Sequence, residues 1–251
     1  KLVLLEIMDD IHATCERHQL QYVLCGGSCL GAVRHKGFIP WDDDIDVCMP
    51  RPDYLRLLEL KERGLLKLPF GRDVLSHRDQ TFARHFGRYV RHDVRRLSDM
   101  AEDNDCPYIG MDIFPIDGLP EGKLAFRWQC FRIRQLRRFL LTSVERKGTS
   151  RKGAVAAKIK DLYRPLLKKI GPYRIAAHLD RVCSRTSFES AKYVGAVTGM
   201  YGERERWLKE QMLPQKRMKF EDTEACVFEN YDIYLSNLFG DYMRLPPVEQ
   251  Q

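Results

Sequence analysis

The sequence predicts an α/β (α+β) fold, a mixed sheet flanked by helices with a basic helical insertion. A short β-prone run at residues 22–25 ends in two glycines and leads into helix-forming residues, and residues 41–49 alternate between acidic and apolar side chains. Residues 120–189 instead have helical periodicity and many cations. With 251 residues, of which 44% are hydrophobic, the chain can bury a full core as one domain.

The acidic stretch is the strongest candidate for a catalytic centre. On a regular strand Asp42, Asp44 and Asp46 would share one face, opposite Ile45 and Val47. Neighbouring carboxylates repel one another, and Mg²⁺ is commonly held by one or two carboxylates together with substrate phosphates. An acidic, solvated turn is the alternative. The apolar residues of this stretch favour the metal site, with Mg²⁺ or Mn²⁺ as the ion.

The glycine turn that follows the short β-prone run and precedes a predicted helix is a candidate phosphate site. Gly26 and Gly27 allow a tight turn, and Ser28 stands where a helix N-cap is expected. A helix start offers backbone N–H groups and the positive end of its dipole to a phosphate. We therefore expect these three residues to bind substrate.

Three basic residues, Arg34, His35 and Lys36, follow the predicted helix start. We expect them near the same phosphate, with Arg34 best suited to a bidentate contact. A solvated basic loop is the alternative.

The stretch LGAVRHKGFIPWDDDIDV with MPRPDY resembles the LicD family of phosphocholine transferases, to which fukutin-type phosphoribitol transferases are related. GMDIFPIDGLP at residues 110–120 and NLFGDYMRLPP at residues 237–247 resemble two further segments of that family, although Phe228 stands where the family usually has proline. The resemblance implies a single catalytic domain over residues 1–251. Its nucleotidyltransferase-like core would comprise about residues 1–119 and 190–251, and the basic helical segment about residues 120–189.

The resemblance also implies roles for individual side chains. Asp44 and Asp46 would be catalytic and would hold the metal. Asp112, set among bulky apolar residues, is expected beside them on an adjacent strand as the third catalytic metal ligand, or else as a buried carboxylate that caps a turn. Arg88 would contact a substrate phosphate, with a surface arginine as the alternative, and Asp117 is expected in a turn.

The activity implied by the resemblance is metal-dependent transfer of a phospho-alcohol, typically phosphocholine from the donor CDP-choline. The acceptor would be a hydroxyl of a cell-surface glycan or teichoic acid, and CMP would leave. Choline would need aromatic contacts, for which Trp41, Tyr108 and Tyr231 are candidates. The alternatives are a true nucleotidyltransferase that releases pyrophosphate, acting on a small molecule or RNA, and an inactive glycan- or membrane-binding module.

The charge distribution predicts an anionic partner. Residues 123–169 contain fifteen Lys or Arg and two acids, whereas the whole chain has a net charge of +7. The local excess suits an anionic, lipid-linked glycan or the surface of an anionic membrane, and nucleic acid is not expected. The eight cysteines show no zinc-binding spacing and predict reduced core thiols. Because no apolar run is long enough to span a bilayer, the expected location is the cytoplasm, with peripheral contact at the inner face of the membrane as an option.

Overall fold

The computed structural model describes residues 1–95, 106–148 and 154–247. The strands are β1 (Val23–Leu24), β2 (Asp46–Pro50), β3 (Arg72–Leu75), β4 (Gly87–Arg95), β5 (Tyr108–Leu119), β6 (Tyr193–Gly195), β7 (Trp207–Leu208), β8 (Gln215–Phe220) and β9 (Thr223–Phe228). The helices are α1 (Leu2–His18), α2 (Gly26–His35), α3 (Arg51–Glu62), α4 (Lys123–Val144), α5 (Ala154–Ile170), α6 (Pro172–Cys183), α7 (Lys209–Met212) and α8 (Tyr231–Phe239), with a 3₁₀ turn at Gly202–Glu205. These elements confirm the predicted α/β class.

Within the described ranges, seven strands form one mixed sheet with the central order β1-β2-β5-β4-β3. Strands β2 and β5 are parallel, β4 pairs antiparallel with β5, and β6 and β7 extend the sheet from the end of β5. The register sets Asp46 opposite Asp112 and Asp112 opposite Arg88. The sheet therefore brings Asp112 beside the acidic stretch, as predicted.

The strand in the acidic stretch begins later than the alternation of residues 41–49 predicted. Strand β2 begins at Asp46, and Asp42 and Asp44 lie in the loop before it. A turn in which the Asp42 amide donates to the Ile39 carbonyl redirects the chain there. The predicted shared strand face of the three acids is therefore wrong. A loop lets like-charged side chains diverge, whereas a strand would hold them on one side.

Asp117 lies in β5 and not in the predicted turn. It is buried, and both of its carboxylate oxygens accept hydrogen bonds from Arg51 at 2.7 and 2.9 Å. Arg51 also donates to Asp180 of α6 at 2.8 Å. The following Gly118 looks like a turn residue in the sequence. In the structure the backbone of residues 186–187 packs directly against Gly118. A Cβ on residue 118 would lie 2.7 Å from the Ser187 carbonyl oxygen.

Helices α4, α5 and α6 pack on one another and build a second apolar cluster beside the end of β5. Not all of their cations face solvent. Arg164 of α5 is buried and donates to the carbonyl oxygens of Thr142 and Glu145, and Arg137 of α4 is partly buried. The basic segment is therefore not one continuous solvated patch.

All eight cysteines are buried and none forms a disulfide with another, which agrees with the prediction of core thiols. Across the described ranges, no helix combines the length and apolar character needed to cross a bilayer.

Candidate functional site

A cavity of about 330 Å³ opens where α2 begins and β2 starts. One wall is formed by the glycine turn and the acidic loop, and α4 and the chain between β6 and β7 close the other side. The lining residues include Gly26, Gly27, Asp42, Asp44, Asp46, Arg84, His85, Phe86, Phe114, Arg137, Thr198, Tyr201 and Glu205. The cavity thus gathers carboxylates and two arginines from four separate parts of the chain.

The start of α2 is fixed by hydrogen bonds to its surroundings. Gly26 has a φ of 52°, which favours glycine, and its N–H donates to the Tyr234 hydroxyl at 2.9 Å. Cys25 is the N-cap, so Ser28 stands within the first turn and is not the predicted cap. The Ser28 hydroxyl instead accepts a 2.9 Å hydrogen bond from the Asp46 amide, and this bond ties the helix start to the start of β2.

Asp42 lies directly against this helix start. A Cβ on Gly27 would stand 2.8 Å from Asp42 Oδ2, so the carboxylate reaches its position because residue 27 is glycine. The positive end of the helix dipole favours a negative charge there. Asp42 therefore lines the site, although only Asp44 and Asp46 of this stretch were predicted to be metal ligands.

Two of the acids, Asp44 and Asp46, have raised pKa values. Partial desolvation, followed by the nearby Asp42, Asp43 and Asp112 carboxylates, raises the pKa of Asp44 to about 6. Burial, followed by Asp112 and Asp44, raises the pKa of Asp46 well above its ordinary value. Such a concentration of negative charge is relieved by a bound cation or by protonation.

Asp112 and Arg88 meet beside this cluster. Arg88 Nη1 lies 3.3 Å from Asp112 Oδ1, and its charge favours the ionised form of Asp46. Arg88 is only 9% exposed, so the alternative of a surface arginine is wrong. Because Asp112 already faces a cation, it is less available to a metal than the sequence indicated.

The donor set fits a magnesium ion held with the help of substrate. Among the described side chains, no group of three or more His, Cys, Asp or Glu is arranged to hold a metal ion by itself. Mg²⁺ needs only one or two carboxylates when phosphate oxygens complete its shell. Asp44 and Asp46 supply two such carboxylates to the cavity, and metal binding by them and by Asp112 stays a prediction.

The three basic residues after the glycine turn lie at the other end of α2. Arg34 donates to the Tyr242 carbonyl and to the His35 ring, each at 2.9 Å, and Lys36 donates to the Val33 carbonyl at 3.1 Å. Ten helical residues span about 15 Å, so the helix carries these cations away from its own N-terminus. None of these three basic residues lines the smaller cavity with Asp44 and Asp46.

Arg34 and Trp41 instead line a second, more open cavity of about 780 Å³. Gly27, Asp42 and Tyr201 line both cavities. The two spaces therefore meet at the acidic loop, where two substrates could approach the same carboxylates from different sides.

The other aromatic candidates for choline lie elsewhere. Tyr108 stacks on His92 with ring centroids 4.5 Å apart, and Lys216 Nζ lies 4.4 Å from the centre of the Tyr231 ring. Neither tyrosine lines either of the two cavities. The aromatic side chains that do line the smaller cavity are Phe86, Phe114 and Tyr201.

Sequence reasoning missed several side chains of this cavity. Arg137 donates to the Gly199 carbonyl at 2.9 Å, and burial lowers its pKa. It stands in a run of basic residues, where nothing in the sequence distinguishes it from solvated neighbours. Burial raises the pKa of Glu205 to about 8, yet a glutamate between two arginines looks like surface. Only the packing of α4 and the 3₁₀ turn onto the sheet reveals them.

Comparison with known proteins is consistent with this geometry. The family model described as LicD/FKTN/FKRP, nucleotidyltransferase domain, matches residues 19–119, which contain the glycine turn and all the candidate carboxylates. Over an alignment of 264 residues the chain is 32% identical to the lipopolysaccharide cholinephosphotransferase LicD of Haemophilus influenzae, covering 100% of this chain and 92% of that protein. An uncharacterised protein of Rickettsia prowazekii is 37% identical over 59 residues, 24% of this chain and 22% of that protein. The full-length similarity shows that the chain belongs to the LicD family, as its motifs predicted.

Proposed function

We propose that the chain transfers phosphocholine from CDP-choline to a hydroxyl of a lipopolysaccharide-type glycan, with CMP as the leaving group. The observation that carries the proposal is the carboxylate cluster at the start of α2, in a chain similar over its whole length to a lipopolysaccharide cholinephosphotransferase. That similarity makes the chain a transferase and favours this glycan over teichoic acid.

The cofactor in this proposal is Mg²⁺, or Mn²⁺, held by Asp44 and Asp46. When bound, the ion would supply positive charge to the phosphates of the donor and relieve the repulsion between the two acids. Asp112 is retained as a proposed third ligand.

The residues of the cavity account for donor binding. The N-terminus of α2 at Gly26 and Gly27 lines the cavity beside the carboxylates and suits a phosphate group. Arg84 and Arg137 line the opposite side and add two positive charges. A donor held between them would present the choline-bearing phosphorus to the acceptor hydroxyl.

The transfer itself is one in-line displacement. The acceptor oxygen forms a bond to the choline-bearing phosphorus, while the bond from that phosphorus to the CMP oxygen breaks. Asp46 or Asp112 takes the hydroxyl proton. The larger cavity, lined by Trp41 and Arg34, reaches Asp42 from the other side and suits an anionic sugar.

Membrane contact is assigned to α5. Its exposed apolar residues recur at helical spacing and are between 42% and 85% exposed: Val155, Ile159, Leu162, Leu166 and Ile170. Lysines at positions 158, 168 and 169 lie on the same helix. An apolar stripe next to cations is typical of helices that lie on an anionic membrane, where a lipid-linked glycan would be presented.

Carboxylate variants test the proposal. We expect Asp44→Asn and Asp46→Asn each to lower phosphocholine transfer at least about a hundredfold, because each removes a charged oxygen ligand. The matched control is Asp43→Asn in the same loop, which should keep activity within a few-fold of wild type. Mg²⁺-dependent transfer at a wild-type rate in either Asp44→Asn or Asp46→Asn would contradict the proposal.

A further inference from the structure

Glu205 is a buried carboxylate that the proposed transfer chemistry does not use. Only 5% of the residue is exposed, it lines the smaller cavity, and its Oε2 atom has no hydrogen-bond donor. Of the described residues that shift its pKa, only the Trp207 indole favours the charged form, and that N–H lies outside hydrogen-bonding geometry. A buried carboxylate without a hydrogen-bond donor is costly to ionise, so its presence in a cavity points to a cationic ligand, whose charge would favour the ionised form.

The fold fixes the backbone of Glu205. Glu205 ends the 3₁₀ turn Gly202–Glu205, and its backbone packs directly on β6 at Gly195. A Cβ on Gly195 would stand 1.6 Å from the Glu205 carbonyl oxygen, so this approach requires glycine. The side chain then lies next to Gly199, where a Cβ would be 4.0 Å from Oε1.

The side chains around Glu205 suit a cation that has no N–H group with which to donate a hydrogen bond. Tyr201 lines the same cavity. Burial is the main cause that raises the pKa of Tyr201, and the negative charge of Glu205 is the second. Phe86 and Phe114 add two rings whose centroids are 4.5 Å apart. A quaternary ammonium is recognised by opposite charge and by aromatic faces, and not by hydrogen bonds.

The position of Tyr201 in the cavity indicates which part of the donor would bind beside it. Tyr201 Cε2 lies 3.7 Å from where a Cβ on Gly26 would stand, so the ring adjoins the start of α2. The choline nitrogen is separated from its phosphorus by one oxygen and two carbons, whereas ribose stands between the phosphates and the cytosine. A subsite this close to the proposed phosphate position fits choline better than the base.

We propose that Glu205 and Tyr201 form the subsite for the quaternary ammonium of the donor. This inference rests on the proposed function, because it takes a choline-bearing donor as given. It identifies Glu205 as a residue that determines specificity for the alcohol.

The test compares CDP-choline with its neutral tert-butyl analogue, in which carbon replaces the quaternary nitrogen. We expect the wild type to prefer CDP-choline in kcat/KM by about tenfold, in line with a desolvated cation between a carboxylate and an aromatic ring. In Glu205→Gln the preference should vanish because KM for CDP-choline rises while the analogue is little affected. Glu203→Gln, on the same turn with an exposed side chain near Arg134, is the matched control and should keep the preference.

Other outcomes separate the two proposals. An undiminished preference in Glu205→Gln overturns the subsite, and so does a variant that instead loses the distinction between CDP-choline and UDP-choline. If Glu205→Gln does not fold, Tyr201→Leu should lose the preference and Tyr201→Phe should retain it, and equal behaviour of these two overturns the subsite. A wild type that turns over no CDP-choline contradicts the proposed function before any variant is compared.

Discussion

The Ser28 hydroxyl connects the two backbone segments that build the carboxylate centre. It accepts a hydrogen bond from the Asp46 amide, while the Cys25 amide donates to the Asp46 carbonyl at 3.0 Å. Both backbone groups of Asp46 are therefore fixed by the start of α2. The position of the Asp46 carboxylate depends on a side chain that need not contact substrate at all.

Replacement of Ser28 by alanine tests this dependence. We expect Ser28→Ala to lower stability by about 1 kcal/mol, since a buried N–H loses its acceptor. It should also lower transfer activity by roughly ten- to hundredfold, because small misplacements of catalytic groups are costly. Thr14→Val is the control, since it removes another buried hydroxyl, which donates to the Asp10 carbonyl in α1. Equal activity of the two variants in steady-state assays would contradict a positioning role for Ser28.

The raised pKa of Glu205 predicts how the free energy of unfolding changes with pH. Burial raises the pKa of its carboxyl from an ordinary 4.5 to about 8, so the folded state holds a proton that the unfolded state releases. Between these pH values, stability falls as pH rises. Compared with wild type, Glu205→Gln should therefore gain stability from pH 5 to pH 8 in urea unfolding. A difference in unfolding free energy that stays constant over that range would contradict the assignment.

Secondary-structure elements were predictable where one pattern decided them. The helices of residues 120–189 follow from their periodicity, and the adjacency of β2 and β5 follows from an acid set among apolar residues. The position of Arg34 could not be predicted in this way. The residues between the glycine turn and Arg34 form a helix, and this helix separates the two in space. Glu205 and Arg137 could not be found, since their burial arises from packing between elements far apart in the chain.

Helix α5 is the element to test for membrane contact. We expect the double variant Leu162→Glu with Leu166→Glu to bind anionic phospholipid vesicles at least about tenfold more weakly, because it replaces exposed apolar side chains that would enter the membrane with negative charges. Turnover of a soluble acceptor should not change, since neither residue lines the two cavities. Vesicle sedimentation at low and moderate salt measures the effect.

The control for α5 places the same charges on another exposed apolar surface. Leu65 and Phe70 lie between α3 and β3 and are well exposed, so Leu65→Glu with Phe70→Glu should leave vesicle binding unchanged. Equal loss in both double variants would mean that net charge alone governs binding. A charge change at Arg137 is unsuitable as a test of membrane contact, because this residue lines the smaller cavity.

The fold of the whole molecule brings two cavities to one carboxylate loop. The helical segment supplies one wall of the smaller cavity, and the final described residues, including Tyr242 and Pro247, line the larger one. Parts of the chain far apart in sequence are thus needed for a single site. This arrangement is what a transferase with separate donor and acceptor sides requires, and it agrees with a similarity to LicD that extends over the full length.

The identity of the leaving group tests the central claim most directly. Purified protein would be incubated with CDP-choline, Mg²⁺ and a lipopolysaccharide acceptor, and with nucleoside triphosphates in parallel reactions. We expect CMP to appear in equal amounts with phosphocholine on the glycan, only when the metal is present and not with Asp46→Asn. Release of pyrophosphate from a triphosphate, with no CMP from any CDP-alcohol, would contradict the account and favour a true nucleotidyltransferase.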